Sequence, residues 1–576
     1  MDGTSNVVTM PGMSKTHLAL VTALAFAAAC GSRTVARSPA PLPSPIARPP
    51  AAPLLDSAAI DREVRAAWTK ARITPAKDAD DATFLRRATL DLTGRIPTEA
   101  AVTAFLADPS KDKRGKAVDA LLASPAYADH FTNVWDRILL GRDARQNLVD
   151  RVAFRKWLHD AFAKDTRYDR LVFDLITATG RNSVGGRPGR DPAAHRAEVD
   201  DDDDAPIHGA VNWFLKYQGN LPDLAGATSR VFLGVQIQCA ECHDHKTEAW
   251  KTADFQSFTA CFARTRVERI EKGKVTGVRR VEVKDTSRPL RPPKRMDVPD
   301  WASAPPRALD GTDFSQSPNR RRALAEWMIA PKNPWFAREI VNRTWAQMLG
   351  RGFFEPVDDL RASNPTTLPD LLARLERDFV ASGYDLKHLL RVIALSEAYQ
   401  RAAEAPAAPR EDGLDEELWS HFQITRMGAD ELLDSLASAT RLGERLDRLG
   451  EAEAERGRFA LRRQFAFAFD VDEDGDHHDE FDGTVSQALW LMNGQLVNRA
   501  SSALPASALG EILASPGDDA SKVRSMYLRT LSREPSAGET ARVLAVVHGA
   551  RPGDRRAAWE DVFWAILDSS EFLFNH

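Results

Sequence analysis

The sequence predicts a mainly α-helical protein of two helical domains, joined by a short β-hairpin and a proline-rich linker. Apolar residues recur at helical spacing through residues 56–264 and again through 316–576. Between these stretches, Val281-Glu282-Val283 alternates in the manner of a strand, and six prolines follow from Pro289 to Pro306. These patterns place the hairpin and the linker at residues 265–315.

Residues 1–30 have the features of a bacterial lipoprotein signal peptide. Lys15 supplies a basic start, and Leu18 to Ala29 forms an apolar run of 12 residues that is too short to span a bilayer as a helix. Three alanines then precede Cys30. We expect cleavage before Cys30, lipidation of its thiol and anchoring to an envelope membrane, with a plain signal peptide as the alternative. Residues 31–55 are rich in proline and alanine and are predicted to be a tether.

The first helical domain is predicted from apolar faces with three- and four-residue spacing. One face comprises Tyr127, Phe131, Val134, Trp135 and Ile138, a second Val102, Phe105 and Leu106, and a third Val118, Leu121 and Leu122. Pro97-Thr98-Glu99 is a helix start signal, and Ser124-Pro125 is a helix stop signal.

The second helical domain is predicted in the same way. Its apolar faces comprise Val341, Trp345 and Met348, and then Leu371, Leu375 and Phe379, with Gly383 as a C-terminal cap. Further helices are expected around Leu496 and from Val523 to Leu531.

Composition excludes two broad classes of protein. The chain has 77 basic and 82 acidic side chains, so its net charge of −5 gives no basic excess for general nucleic-acid binding. A mean hydropathy of −0.37 is too low for a multi-span membrane protein. The sequence also lacks a nucleophile elbow, a Walker loop and a dinucleotide fingerprint. Asp244 and Asp358-Asp359 give only weak support for a hydrolase of extracellular polymers.

The most informative motif is Cys239-Ala-Glu-Cys242-His243. Cys-x-x-Cys-His is the attachment signature for c-type haem. The two thiols form thioethers with the vinyl groups of one haem, and the adjacent His243 becomes the proximal iron ligand. Export fits this chemistry, because such attachment occurs outside the cytoplasm.

Other interpretations of this motif stay open. Zinc would use Cys239, Cys242 and Cys261, with His243 or His245 as the fourth ligand. A disulfide between Cys239 and Cys242 would suit an oxidising compartment. The motif would otherwise serve packing alone.

A second candidate metal site lies late in the chain. Asp470, Asp472, Asp474 and Asp476 alternate as in the first half of an EF-hand loop, and Gly475 permits the sharp turn. The second half departs from that pattern, because the twelfth position is Phe481 instead of Glu. The alternatives are a weak calcium site and a solvated acidic loop.

Several strings resemble a paired bacterial family of exported proteins, the cytochrome-associated domains of unknown function 1549 and 1553. The first domain is indicated by Phe84-Leu-Arg-Arg-Ala-Thr-Leu-Asp-Leu-Thr-Gly94 and by Phe232 to His245. The second is indicated by Asn333-Pro-Trp-Phe336, Val341-Asn-Arg343, Gly350-Arg-Gly352, Pro356-Val-Asp-Asp359, Ser363-Asn-Pro365 and Gln487-Ala-Leu489 with Asn493. The resemblance implies an association with cytochrome c. The chain departs from the family at Lys246, where proline is expected, and at Cys261, where an aromatic residue is more usual.

The sequence therefore predicts an exported, membrane-anchored lipoprotein that carries one c-type haem and exchanges electrons with a partner protein in the envelope. A non-redox binding protein with structural zinc or no metal is the alternative.

Overall fold

The computed structural model describes residues 54–141, 148–183, 207–217, 219–270, 280–290, 301–404, 410, 412–447, 457, 461, 462, 465 and 495–576. Cys30 and the predicted signal peptide lie outside the described residues, as do the tether up to Pro53 and the segment from Asp470 to Asp476. The mainly α-helical class is confirmed. No helix in the described part of the chain is long and apolar enough to cross a membrane.

Helices make up most of the first region. They are Ser57–Ala71 (α1), Asp81–Thr93 (α2), Glu99–Ala107 (α3), Lys113–Leu122 (α4), Pro125–Leu140 (α5), Arg151–Ala163 (α6), Tyr168–Thr177 (α7), Val211–Lys216 (α8), Leu221–Leu233 (α9) and Thr252–Thr259 (α10), with a 3-10 turn at Gln238–Glu241. Two predicted boundaries are confirmed. Thr98 caps α3 by accepting from the Ala101 N–H at 3.3 Å. Helix α4 ends before Ser124, and Pro125 takes the first position of α5.

The second region is also helical. Its helices are Arg320–Met328 (α11), Phe336–Leu349 (α12), Pro369–Ala381 (α13), Leu386–Ala394 (α14), Glu397–Gln400 (α15), Leu414–Glu417 (α16), Ala429–Thr440 (α17), Leu442–Asp447 (α18), Gln495–Ala500 (α19), Ala508–Ala514 (α20), Asp519–Thr530 (α21), Ala537–Gly549 (α22), Arg555–Leu567 (α23) and Ser570–Leu573 (α24). Gly383 adopts a left-handed φ of 82° just beyond α13, which is the capping position that its sequence predicts.

The predicted β-hairpin is present and extends into a small sheet. Strands Thr265–Arg269 (β2) and Val281–Asp285 (β3) pair antiparallel, and Gly180–Arg181 (β1) adds to the other side of β3. Val281 and Val283 are fully buried, as their alternation predicts. Thr425–Arg426 (β4) and Phe574–Asn575 (β5) form a separate antiparallel pair. The joining of β1 and the β4–β5 pair had no sequence signal.

The two helical regions share one hydrophobic core. Tyr168 of α7 stacks on Phe336 of α12 with ring centroids 5.2 Å apart, and both side chains are buried. Trp301 and Phe314, from the predicted linker, are also buried in this core. Residues 301–315 therefore pack against the helices, and residues 49–576 form one compact unit.

Helix α2 explains the charged pair within the first family string. Arg86 is buried and donates hydrogen bonds to the carbonyl oxygens of Thr530 and Phe572, both at 2.9 Å. Arg87 is buried as well and donates to the carbonyl oxygens of Tyr399 and Arg401. Buried guanidinium groups need such partners, so this helix ties the first region to the end of the chain.

Candidate functional site

The cysteine motif lies on a short turn directly after α9. The helix ends at Gly234, where φ is 65°, and the chain then forms the 3-10 turn Gln238–Glu241. Ala240 is fully buried beneath the turn, whereas Cys239 and Cys242 are exposed and carry free thiols. The turn therefore presents both thiols to solvent.

His243 has the hydrogen-bonding arrangement of a metal-binding imidazole. Its Nδ1 lies 2.9 Å from the carbonyl oxygen of Asp244, which can only accept, so Nδ1 carries the proton. The lone pair of the neutral ring is consequently on Nε2. Metal-ligating histidines are commonly oriented by such a bond from the second ring nitrogen. The His243 residue is exposed and directly follows Cys242 in the chain.

His245 has a different role. The ring Nδ1 of His245 accepts hydrogen bonds from the backbone N–H groups of Glu248 at 3.0 Å and Thr247 at 3.3 Å. The backbone N–H of His245 donates to the Trp250 carbonyl at 2.8 Å. The proton of the neutral ring is then on Nε2, which leaves no lone pair for a metal. The expectation that His245 is a metal ligand is not supported by this geometry, because its acceptor nitrogen organises the 245–250 loop.

Cys261 is not brought to the motif as a ligand. Its side chain is 1% exposed, and its Sγ lies 3.7 Å from the carbonyl oxygens of Ser257 and Arg307. Burial raises the pKa of this thiol far above its ordinary value, which disfavours the thiolate that zinc requires. Within the described ranges, no group of three or more His, Cys, Asp or Glu residues is arranged to hold a metal. The four-ligand zinc set is therefore not assembled here.

A segment of the second region contacts the motif's own segment on both sides. Before the cysteines, the Leu360 N–H donates to the Gly234 carbonyl at 2.7 Å. After them, the Ser363 hydroxyl donates to Oε1 of Glu248 at 2.6 Å. We call residues 358–363 the bracket.

Asp358 adds charge to the bracket. Its carboxylate accepts from Nη1 of Arg230 on α9 at 3.1 Å and from Nε2 of Gln236 at 3.3 Å. Asp359 is buried and pairs with Arg361 at 2.9 Å, while burial raises the pKa of its carboxyl. Because both carboxylates have cationic partners, this pair gives no support to the hydrolase interpretation.

Asn342 on α12 shapes the chain that leads into the bracket. Its Oδ1 accepts from the N–H groups of Phe353 at 2.6 Å and Phe354 at 3.0 Å, and its Nδ2 donates to the Val357 carbonyl at 2.8 Å. Asn364 donates to the carbonyl oxygens of Glu355 and Asp359, both at 3.0 Å. The two asparagines thus hold the loop on either side of Asp358.

A buried ion pair lies behind the bracket. Arg343 Nη2 lies 2.5 Å from Oε1 of Glu339, whose side chain is fully buried and whose Oε2 has no hydrogen-bond partner among the described residues. Burial, together with the negative charge of Asp358, raises the pKa of Glu339 to about 8. A Cβ at Gly234 would approach this Oε2 to 2.4 Å, so the glycine permits close contact between the two regions.

Two family models match the chain, one in each helical region. Residues 59–267 match PSCyt2, a protein of unknown function (DUF1549), and residues 320–458 match PSD1, a protein of unknown function (DUF1553). The chain belongs to this paired family. No curated protein and no solved structure matches it. In family terms, the cysteine motif lies in the DUF1549 region and the bracket in the DUF1553 region.

Sequence reasoning identified the cysteine motif but missed its neighbours. Arg230 and Glu248 lie outside the quoted family strings, and Gln236 lies within the string Phe232 to His245 without a role indicated for it. The signal that was present lay in the family strings Pro356-Val-Asp-Asp359 and Ser363-Asn-Pro365, which the structure places against residues that flank the motif. The predicted calcium ligands, Gln487-Ala-Leu489 and Asn493 lie outside the described residues.

Proposed function

We propose that this protein is an exported electron carrier of the cell envelope that binds one covalent c-type haem through Cys239, Cys242 and His243. The single observation that carries the proposal is the state of the motif. Two free, exposed thiols precede in the chain an exposed imidazole whose Nδ1 is bonded to a carbonyl, which leaves the ring lone pair on Nε2. This donor set fits c-type haem better than zinc, which needs four converging ligands.

Both thiols would be attached to the haem by the same reaction. Cys239 and Cys242 would hold the haem through thioethers, because each thiol would add across a vinyl group with no atom lost. His243 would hold the iron through Nε2, and its bond to the Asp244 carbonyl would fix the ring orientation and raise the basicity of that nitrogen. When bound, the haem supplies a reversible one-electron couple. The electron would come from a reduced carrier protein in the envelope and pass to an oxidised one.

Location follows from the sequence. The apolar run that ends at Cys30, followed by a proline-rich segment, supports a lipid anchor with a tether. Such an anchor would confine the carrier to the membrane surface, where it would meet its redox partners. Nothing in the charge balance favours nucleic acid as a partner.

Four variants expressed with haem-maturation machinery test the proposal. Cys239→Ser and Cys242→Ser should each lose one thioether, and His243→Ala should alter the visible spectrum of the reduced protein. Cys261→Ser is the matched control, because it removes a buried thiol whose hydrogen-bond contacts are the Ser257 and Arg307 carbonyls instead of the motif. The proposal predicts that Cys261→Ser keeps the wild-type spectrum. Loss of colour in Cys261→Ser alone, or an uncoloured wild type, would contradict it.

A further inference from the structure

We infer that Asp358 and Ser363 of the DUF1553 region are positioning residues for the cysteine motif, so that the two family regions build one functional site. This inference rests on the proposed function for its redox consequence, but its structural part stands separately. The bracket is the element through which the second region would act on the motif.

The contacts lie on both sides of the motif. Leu360 and Asp358 hold Gly234 and Gln236 before the cysteines, and Ser363 holds Glu248 after them. Of the motif itself, only Ala240 is buried in the core. A surface turn with so few buried groups depends on hydrogen bonds at its flanks for a fixed geometry.

The polar side chains of the bracket bond to polar side chains that flank the turn. Asp358 is 17% exposed at its side chain and accepts from two donors, one of them the guanidinium of Arg230. Charge-assisted bonds of this kind are stronger than neutral ones. Asn342 and Asn364 fix the backbone on either side of Asp358, so the DUF1553 region positions this residue while its carboxylate bonds to Arg230 and Gln236 of the first region.

The redox consequence follows from the charge of Asp358. A carboxylate held beside the haem attachment segment favours the ferric state, because negative charge stabilises the more positive iron. Neutralising Asp358 should therefore raise the midpoint potential. A residue that served folding alone would alter stability without a specific change in potential.

The test compares Asp358→Asn and Ser363→Ala with Glu376→Gln. Glu376 is a matched control, because it is 18% exposed, close to the exposure of Asp358, and its hydrogen bonds within the described part of the chain are to Arg338, on α12, instead of to the residues that flank the cysteines. Hydrogen exchange is measured on the protein without haem. Peptides covering residues 234–248 should exchange about five-fold faster in both bracket variants, as expected for one lost hydrogen bond, and should be unchanged in Glu376→Gln.

The second readout uses the protein loaded with haem. Asp358→Asn should raise the midpoint potential. Asp358→Glu, which keeps the negative charge, should have a midpoint potential close to that of the wild type, and Glu376→Gln should leave the potential unchanged. Wild-type exchange at residues 234–248 in both bracket variants would overturn the inference and leave the proposed function standing. A protein that never takes up haem would instead overturn the proposed function, and the exchange measurement would still decide the role of the bracket.

Discussion

The backbone N–H of Leu360 donates to the carbonyl oxygen of Gly234 at 2.7 Å, and the Leu360 side chain lies where a Cβ on Gly234 would point. One residue ends the helix before the cysteine motif, and the other belongs to the second family region. The left-handed φ of 65° and the close packing both require glycine at this position. The contact therefore couples the boundary of α9 to the placement of the bracket.

Gly234→Ala should destabilise the protein strongly. An added Cβ would lie 2.5 Å from Cγ of Leu360 and 2.4 Å from Oε2 of Glu339, in addition to the cost of a left-handed alanine. Gly413→Ala is the control, because Gly413 has a φ of 69° and, in the described part of the chain, its added Cβ would meet no atom within 4 Å beyond its chain neighbours. Gly413→Ala should cost about 1–2 kcal/mol, and Gly234→Ala about 1–3 kcal/mol more, measured by urea unfolding. Equal losses would show that the two regions do not pack tightly at Gly234.

Stability should fall as the pH rises through the range in which Asp91 loses its proton. Burial is the main cause that raises the pKa of Asp91 to about 7 from an ordinary value of 3.8. The folded state thus binds a proton that the unfolded state has lost between about pH 4 and 7, so stability declines across that window. The decline should be about 2–4 kcal/mol and should level off at higher pH.

Asp91→Asn tests the origin of this dependence. Asp91 accepts from the hydroxyl of Tyr399 at 2.5 Å and from Nδ2 of Asn575 at 2.7 Å, and asparagine mimics the neutral acid in this setting. The free energy of unfolding of the variant should change less than that of the wild type between about pH 4 and 7. Above about pH 7 the variant should be more stable than the wild type. Asp561→Asn, an exposed change on α23, should retain the wild-type profile. A profile for Asp91→Asn that still declines would assign the pH dependence to another group.

Cys30→Ser should release the protein from the membrane. The wild type would be lipidated at Cys30 and would sediment with envelope membranes, whereas the variant lacks the thiol that accepts lipid. Fractionation of cells that express each form gives the answer. Identical membrane association of the two forms would mean that Cys30 carries no anchor.

Calcium should bind weakly to the acidic segment at Asp470, Asp472, Asp474 and Asp476. A loop with no bidentate Glu at its twelfth position should have an affinity of roughly millimolar order, at the weak end for extracellular modules. Calorimetric titration of the full chain measures this, with Asp472→Asn as the matched variant. No heat from the wild type at several times that concentration would identify the segment as a solvated acidic loop.

Local patterns in the sequence predict the individual elements well. The alternation of Val281 and Val283 gives the hairpin, and the spacing of Phe131 and Trp135 gives a buried helix face, because each pattern is set by neighbours along the chain. The 3-10 turn of the motif, and the contacts made by the residues that flank it, have no such periodic signal.

Contacts between distant segments could not be predicted from those patterns. The burial of Trp301 in the core depends on residues far away in the chain, and the hydrophobic pattern alone does not distinguish a packed linker from an extended one. Likewise, the carboxylate pair at Asp358 has the composition of an acid–base site, and only its arginine partners show that it is a structural acceptor. The cysteine motif was found because its signature is local, whereas the bracket was missed because it is formed by tertiary packing.

The most direct test of the haem proposal is the intact mass of the purified wild-type protein after expression with haem-maturation machinery. Addition of both thiols across vinyl groups loses no atoms, so the mass should exceed that of the processed, lipidated polypeptide by one complete haem, and this increment should persist after denaturation. Cys261→Ser should show the same increment, and a Cys239→Ser, Cys242→Ser double variant should show none. A wild-type mass without the haem increment would contradict the assignment of Cys239, Cys242 and His243 as a haem site.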